Sequence, residues 1–271
     1  MPAEMTPPCA RPSAARRDWL RLAAAVALGR VLPAHAGQLR VGVSNDMPPY
    51  VFETERRGLD IDIVLAACQR GGLDARPVMA PMERLPRMLA DGDVEAIATT
   101  QAGLGDRYHF SAPYIEYHNW AVALASRKLD IRRIADLAGY SVSTFQRARE
   151  YLGPEFAAMA ASNPQYREEA RQVVRNNLLF LGRIDVVVGD RRIIEHYARQ
   201  AKGQVDGSAP LRWYRLFPPT PYVAAFRHAA DRDAFDRGLA ILRRSGEYAA
   251  IHRRYERADA ATTTGAVSPP L

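Results

Sequence analysis

Two stretches of this chain, ninety residues apart, carry the same phrase. Gly92-Asp93-Val94-Glu95 leads into Ala96–Thr100, and Gly182-Arg183-Ile184-Asp185 leads into Val186–Asp190. Each reads glycine, any residue, a branched apolar residue, an acid, then an apolar run. A glycine at this place ends a helix, where a left-handed residue is favoured. The short apolar run that follows is a buried strand. A chain that repeats the phrase is built from two α/β units. The ends of the two strands, Thr99–Gln101 and Asp190, then lie at the carboxyl edges of the sheets, where open α/β sheets bind ligands.

The surrounding pattern agrees. Strands are predicted over Leu39–Val43, Ala75–Ala80 and Val94–Thr100, and helices over 58–70 and 82–91, the second weakened by Pro86. The alternation restarts with a strand at 119–126, a helix at 131–138, a strand at 140–144 and the start of a helix at 145. Residues 153–165 read as helix then loop. A helix over 170–181, the strand 184–190 and a helix over 191–202 follow. Near the end come a strand at 222–226, an amphipathic helix, a glycine break at Gly246 and a final short helix. This alternation implies α/β units with much parallel sheet. The segment 258–271 is polar and of low complexity, and is expected to be a disordered tail.

Composition matters at two points. The formal charge of +7 invites a nucleic-acid reading, but only Lys128 and Lys202 are lysines among 37 basic residues, and no basic run interleaved with aromatics occurs. No nucleic-acid partner is expected. Part of the excess sits in the first 36 residues, with five arginines against two acids. There a basic start, an apolar stretch Leu22–Leu28 and Ala34-His35-Ala36 form the order of a secretory signal. Arg16-Arg17-Asp18-Trp19-Leu20 resembles a twin-arginine export signal. Residues 1–36 are thus expected to be a signal peptide, with a soluble periplasmic protein starting at Gly37. Cys9 would leave with the signal, and Cys68 would then have no disulfide partner.

Six phrases, in order, carry a resemblance: LRVGVSNDMPPYVF from Leu39, GLDIDIVLAA from Gly58, FSAPY from Phe110, ADLAGYSVS from Ala135, GRIDVVVGD from Gly182 and GEYAAIHRRYE from Gly246. Together they resemble the family 3 extracellular solute-binding proteins, the polar amino-acid type of ABC importers, over about 39–257. The resemblance implies a two-lobe periplasmic binding protein fold of type II-like topology. Its ligand cleft would lie between lobes joined by two crossover strands, near 120–125 and 222–225. The first lobe would comprise 37–124 and 221–257, and the second 125–220. It further implies a monomer that captures a small polar solute for an inner-membrane ABC permease and closes by a hinge.

The same resemblance assigns site residues. Asp190 would hold a ligand ammonium, a charge-assisted bond in a partly dry cleft. The residue pattern alone equally fits a helix cap for the segment after it. Arg107 would grip a carboxylate, although QAGLGDRYHFS departs from the family wording and Arg107 stands close to Phe110-Ser111. Thr99, Thr100 and Gln101 would line the first lobe's edge, and Ser143 and Thr144 a helix N-terminus in the second. Tyr50 would remain of an aromatic shelf in which Met47 and Met82 replace aromatic residues.

Searches for catalytic chemistry find no Gly-x-Ser-x-Gly, Walker A, His-Glu-x-x-His or Cys-x-x-Cys. Histidines 109, 118, 196, 228 and 252 lack ligand spacing. No enzyme activity, metal or cofactor is therefore expected. The alternatives are an enzyme similar to the periplasmic cyclohexadienyl dehydratases, with Asp190 or Glu83 as the acid, and an accessory or sensor protein of a periplasmic dehydrogenase or receptor.

Overall fold

The computed structural model describes residues 37–45, 47–201 and 205–264. The expected signal segment and residues 265–271 lie outside them. Among the described residues eleven strands form two mixed sheets. The first has the order β2-β1-β3-β11-β4, from β1 (Leu39–Ser44), β2 (Ala75–Ala80), β3 (Ala96–Thr100), β4 (His109–Phe110) and β11 (Thr220–Phe226), with β5 (Ile115–Tyr117) also paired to β11. The second has the order β10-β6-β9-β7-β8, from β6 (Asn119–Leu124), β7 (Val142–Phe145), β8 (Tyr166–Glu169), β9 (Val186–Asp190) and β10 (Leu211–Tyr214). The helices are α1 (Leu59–Arg70), α2 (Leu85–Asp91), α3 (Ala148–Tyr151), α4 (Pro154–Ser162), α5 (Gln172–Phe180), α6 (Arg191–Gln200), α7 (Ala229–Arg244) and α8 (Glu247–Thr264).

The repeated phrase does the same work in each sheet. β3 and β9 are the strands buried at all five positions, which is why they read as unbroken apolar runs. Gly92 (φ 83°) caps α2 and Gly182 (φ 65°) follows α5, both left-handed. The acid that precedes each strand pins the neighbouring parallel strand. Glu95 accepts from the backbone N–H of Arg40 at 2.8 Å, and Asp185 accepts from the N–H of Ser141 at 3.1 Å and its hydroxyl at 2.7 Å. The adjacent backbone bonds, Glu95 N–H to Arg40 O and Val186 N–H to Ser141 O, are both 3.0 Å. Asp185→Ala and Glu95→Ala are each expected to cost about 1–2 kcal/mol, because a part-buried N–H loses its acceptor. Urea midpoints check this, and a shift equivalent to less than about 0.5 kcal/mol would show that the acids are only surface charges.

Two features differ from the sequence expectation. The strand at 119–124 pairs with β9 and β10, so the chain passes between sheets at His118, ahead of the position expected near 120–125. Helix α8 continues to Thr264, taking in the first part of the segment expected to be disordered; its alanines favour helix. Among the described residues no helix is long and apolar enough to cross a membrane. The two crossings between sheets lie side by side, where Asn119 Nδ2 donates to Thr220 Oγ1 at 3.2 Å.

Candidate functional site

The carboxyl ends of β3, β7 and β9 and the crossing strands converge on one region between the sheets. Its deepest part is walled by Met47, Met82, Tyr117 and Tyr222 on one side and Asn119, Phe145, Gln172, Asp190 and Ile193 on the other. It encloses about 10 Å³, room for no more than one water molecule. Two larger cavities both touch Tyr50, His118 and Arg192, and the first of them shares Asn119 and Asp190 with the deep part. One of about 380 Å³ is bordered by Trp120, Asp190, Arg191 and Arg215, and one of about 490 Å³ by Tyr114, Glu116, Arg243 and His252.

On the first-sheet side, tyrosines fill the space. Tyr50 stacks on Tyr117 with ring centroids 3.9 Å apart, and Tyr222 meets the edges of Tyr117 and Tyr151. Beneath them lies Asp60, fully buried in α1. Its carboxylate accepts hydrogen bonds from the hydroxyls of Thr99, Tyr114 and Tyr117. Burial outweighs these bonds and pushes the Asp60 carboxyl up to about 6. The same burial raises the Tyr114 and Tyr117 hydroxyls well above their usual value. Thr99, a β-branched residue at φ 53°, is held in that unfavourable region by its bond to Asp60 and by its N–H donating to the Tyr114 hydroxyl at 2.9 Å.

On the second-sheet side stands Asp190, 3% exposed. One carboxylate oxygen accepts from the N–H groups of Arg192 (2.9 Å) and Ile193 (3.3 Å), the other from the N–H of His118 (2.8 Å). Asp190 therefore caps α6, as its residue pattern allows, and also ties the crossing strand to that helix. Burial still pushes its carboxyl above the usual range. Three of its roughly four acceptor positions are matched by these backbone donors.

The other sequence-predicted residues divide. Met47, Met82 and Tyr50 line the cavities. Thr99 and Thr100 are buried, and Gln101 Nε2 reaches across to the backbone oxygen of Tyr151 at 3.2 Å, a direct link between the lobes. Ser143 and Thr144 are wholly buried in β7, their hydroxyls without a hydrogen-bond partner. Arg107 is exposed, its guanidinium 4.8 Å from the centre of the Tyr108 ring, and does not border the three cavities described. Among the described residues no group of three histidine, cysteine, aspartate or glutamate side chains is placed to hold a metal.

Sequence reading missed Asp60 and Arg175. Both carried a signal in helical spacing. Asp60 shares a face with Val64 and Ala67, which are buried, and Arg175 shares one with Gln172, Asn176 and Leu179. A polar residue at a core-facing position is the informative exception.

A family model described as bacterial extracellular solute-binding proteins, family 3, matches residues 39–258. Among solved structures, the arginine-, lysine-, histidine-binding protein ArtJ from Geobacillus stearothermophilus superposes with a TM-score of 0.67 at 19% identity, covering 81% of this chain and 95% of that one. A histidine kinase sensor domain with similarity to periplasmic binding proteins gives 0.68 at 20% identity, covering 80% and 95%. The amino acid ABC transporter substrate-binding protein AbpA from Streptococcus pneumoniae, bound to L-arginine, gives 0.62 at 18%, covering 82% and 96%. At such identities the likeness is one of fold, a mixed α/β architecture of two lobes. A search of curated proteins finds no match.

Proposed function

We propose that this chain, which belongs to family 3 of the bacterial extracellular solute-binding proteins, captures a small polar solute in the cleft between its sheets. The solute is an amino acid or a related molecule, and an inner-membrane ABC permease receives it. Residues 1–36 direct export to the periplasm, and no step of covalent chemistry is involved.

The observation that carries this reading is the two-sided wall of the deep cavity. Met47, Met82 and Tyr222 come from the first lobe, and Phe145, Gln172 and Ile193 from the second. A group enclosed there touches both lobes, so its binding favours their approach over their separation. The enclosed 10 Å³ is far less than a small-molecule site needs. Entry therefore requires the lobes to part about the crossing strands, where Asn119 and Thr220 meet, breaking the Gln101–Tyr151 link on the way.

A thermal-shift panel of amino acids, amines and small carboxylates tests the reading. A true ligand at a hundredfold excess over its Kd stabilises by about 2.7 kcal/mol. For a chain of this size that raises Tm by roughly 5–10 °C. A flat response to every compound at millimolar concentration defeats the binding-protein function.

A further inference from the structure

Helix α5 buries the wrong residues for an ordinary core. Its buried face is Gln172, Arg175, Asn176 and Leu179, the spacing at which a core-facing helix carries apolar side chains. Arg175 is 0% exposed. Its Nη1 makes a long bond of 3.4 Å to the backbone oxygen of Val188, while Nε and Nη2 have no hydrogen-bond partner. The guanidinium lies against Gly189. A Cβ there would stand 2.9 Å from Nη1 and 3.0 Å from Nη2, so only glycine lets the cation approach the strand this closely. That accounts for the one glycine in the apolar run before Asp190.

A buried cation needs a counter-charge. Burial pulls the Arg175 guanidinium down to about 10, which leaves it charged at neutral pH. Tyr197, Asp190 and Glu169 act on it electrostatically, and of these two are carboxylates. Asp190 already accepts from three backbone N–H groups, and Glu169 is paired with Arg167 at 3.1 Å. No carboxylate among the described residues forms an ion pair with Arg175. Arg175 itself does not border the three cavities described, but three further observations set this charge just behind the cleft wall. Gln172, one turn earlier on the same face, walls the deep cavity. Asp190, the next residue after Gly189, walls it too. Ser143, whose hydroxyl is also unpartnered, sits beside Val187 in the adjoining strand.

We propose that Arg175 is the anion anchor of this cleft, so that the second lobe takes the carboxylate of the solute while Met47, Met82, Tyr117 and Tyr222 take an apolar body. The ligand class is a small amphiphilic organic acid, and an ammonium group is not required. Opening of the lobes gives the carboxylate access past Gln172 to the Nε and Nη2 donors, a bidentate arrangement that suits the guanidinium fork. This inference rests on the solute-binding reading and names its substrate class.

The test compares phenylacetate with its neutral amide, phenylacetamide, and with the phenethylammonium cation, by calorimetry on the full chain. Wild type is expected to bind phenylacetate and neither of the others. Arg175→Met keeps the length of the side chain, removes a charge that is costly to bury, and should fold with unchanged circular dichroism. It is expected to weaken phenylacetate binding at least thirtyfold. Arg175→Lys keeps the charge without the fork and should fall between. Phenylacetamide binding within threefold of phenylacetate, or Arg175→Met retaining affinity within threefold, overturns the proposal. If amino acids or amines bind and no carboxylate lacking an ammonium does, the anion assignment falls and the solute-binding function stands. If no compound of either panel binds, both fall.

Discussion

Asp190→Ala is expected to destabilise the protein by about 3–5 kcal/mol, the largest effect of any single side-chain truncation in the cleft. The carboxylate holds three backbone N–H groups in a buried place. Loss of a helix cap costs about 1 kcal/mol. Each buried donor left without an acceptor adds about 1–3 kcal/mol. Removing a negative charge that acts on the buried Arg175 adds more. Asp190→Asn separates these parts. Its amide oxygen still caps α6 through Arg192 and Ile193, since Asn and Asp cap about equally. Its amide nitrogen then faces the N–H of His118, a donor against a donor, so about 1–3 kcal/mol is lost. Urea unfolding reads both variants. If Asn and Ala cost the same, the cap contributes little; if Ala costs under about 1 kcal/mol, the carboxylate does not tie the crossing strand to α6. The same variants read the ligand question. With three backbone donors on the carboxylate, Asp190→Asn is expected to change affinity for a neutral or anionic solute far less than it changes stability.

The stability difference between wild type and Asp60→Asn is expected to vary by about 3 kcal/mol across the acid range. Burial places the folded carboxyl at about 6, against roughly 3.9 in an unfolded chain. The folded state therefore holds the proton more tightly. The protonated acid's contribution is fully present below the unfolded value and is lost as pH rises through about 6. A proton held over a range of about two pH units more than in the unfolded chain is worth about 3 kcal/mol. Relative to wild type, Asp60→Asn should thus gain about that much between pH 4 and pH 8, because an amide never becomes a buried charge. Taking the difference between the two proteins cancels Asp190, whose carboxyl is raised in the same direction by burial. Thermal unfolding at a series of pH values measures it. A difference constant to within about 0.5 kcal/mol would mean that Asp60 does not titrate in the folded protein. The effect has a structural side as well, because Asp60 holds Thr99 in its left-handed conformation at the end of β3.

The two-lobe architecture was legible because its cause is local and repeated. A glycine that ends a helix and an acid that pins the next strand are each set by a handful of neighbouring residues. β3 and β9 read clearly because strands buried on both faces are continuous apolar runs. The four short strands β4, β5, β8 and β10 did not. β8, Tyr-Arg-Glu-Glu, lies at a sheet edge with a mostly polar face, and such strands carry little periodic signal. β10 is the opposite edge, and β5 exists only because it meets β11 at the crossing. Likewise the sequence marked Asp190 but could not separate a cap from a ligand contact. Both need a carboxylate at a strand end, and the structure shows the cap.

By itself, then, the sequence determined two α/β units, the strand ends that meet between them, and the apolar or polar character of most of the residues there. These follow from periodicity and from conformational preferences of single residues. The tertiary structure decided which charged groups are buried near the cleft. It set Arg107 on an exposed loop, and brought Asp60 under the tyrosines and Arg175 against Gly189. The physical reason is that the state and partners of an ionisable group depend on burial and on donors from distant segments: His118 to Asp190 spans 72 residues and Tyr114 to Asp60 spans 54. No spacing rule within one helix or strand encodes such a meeting.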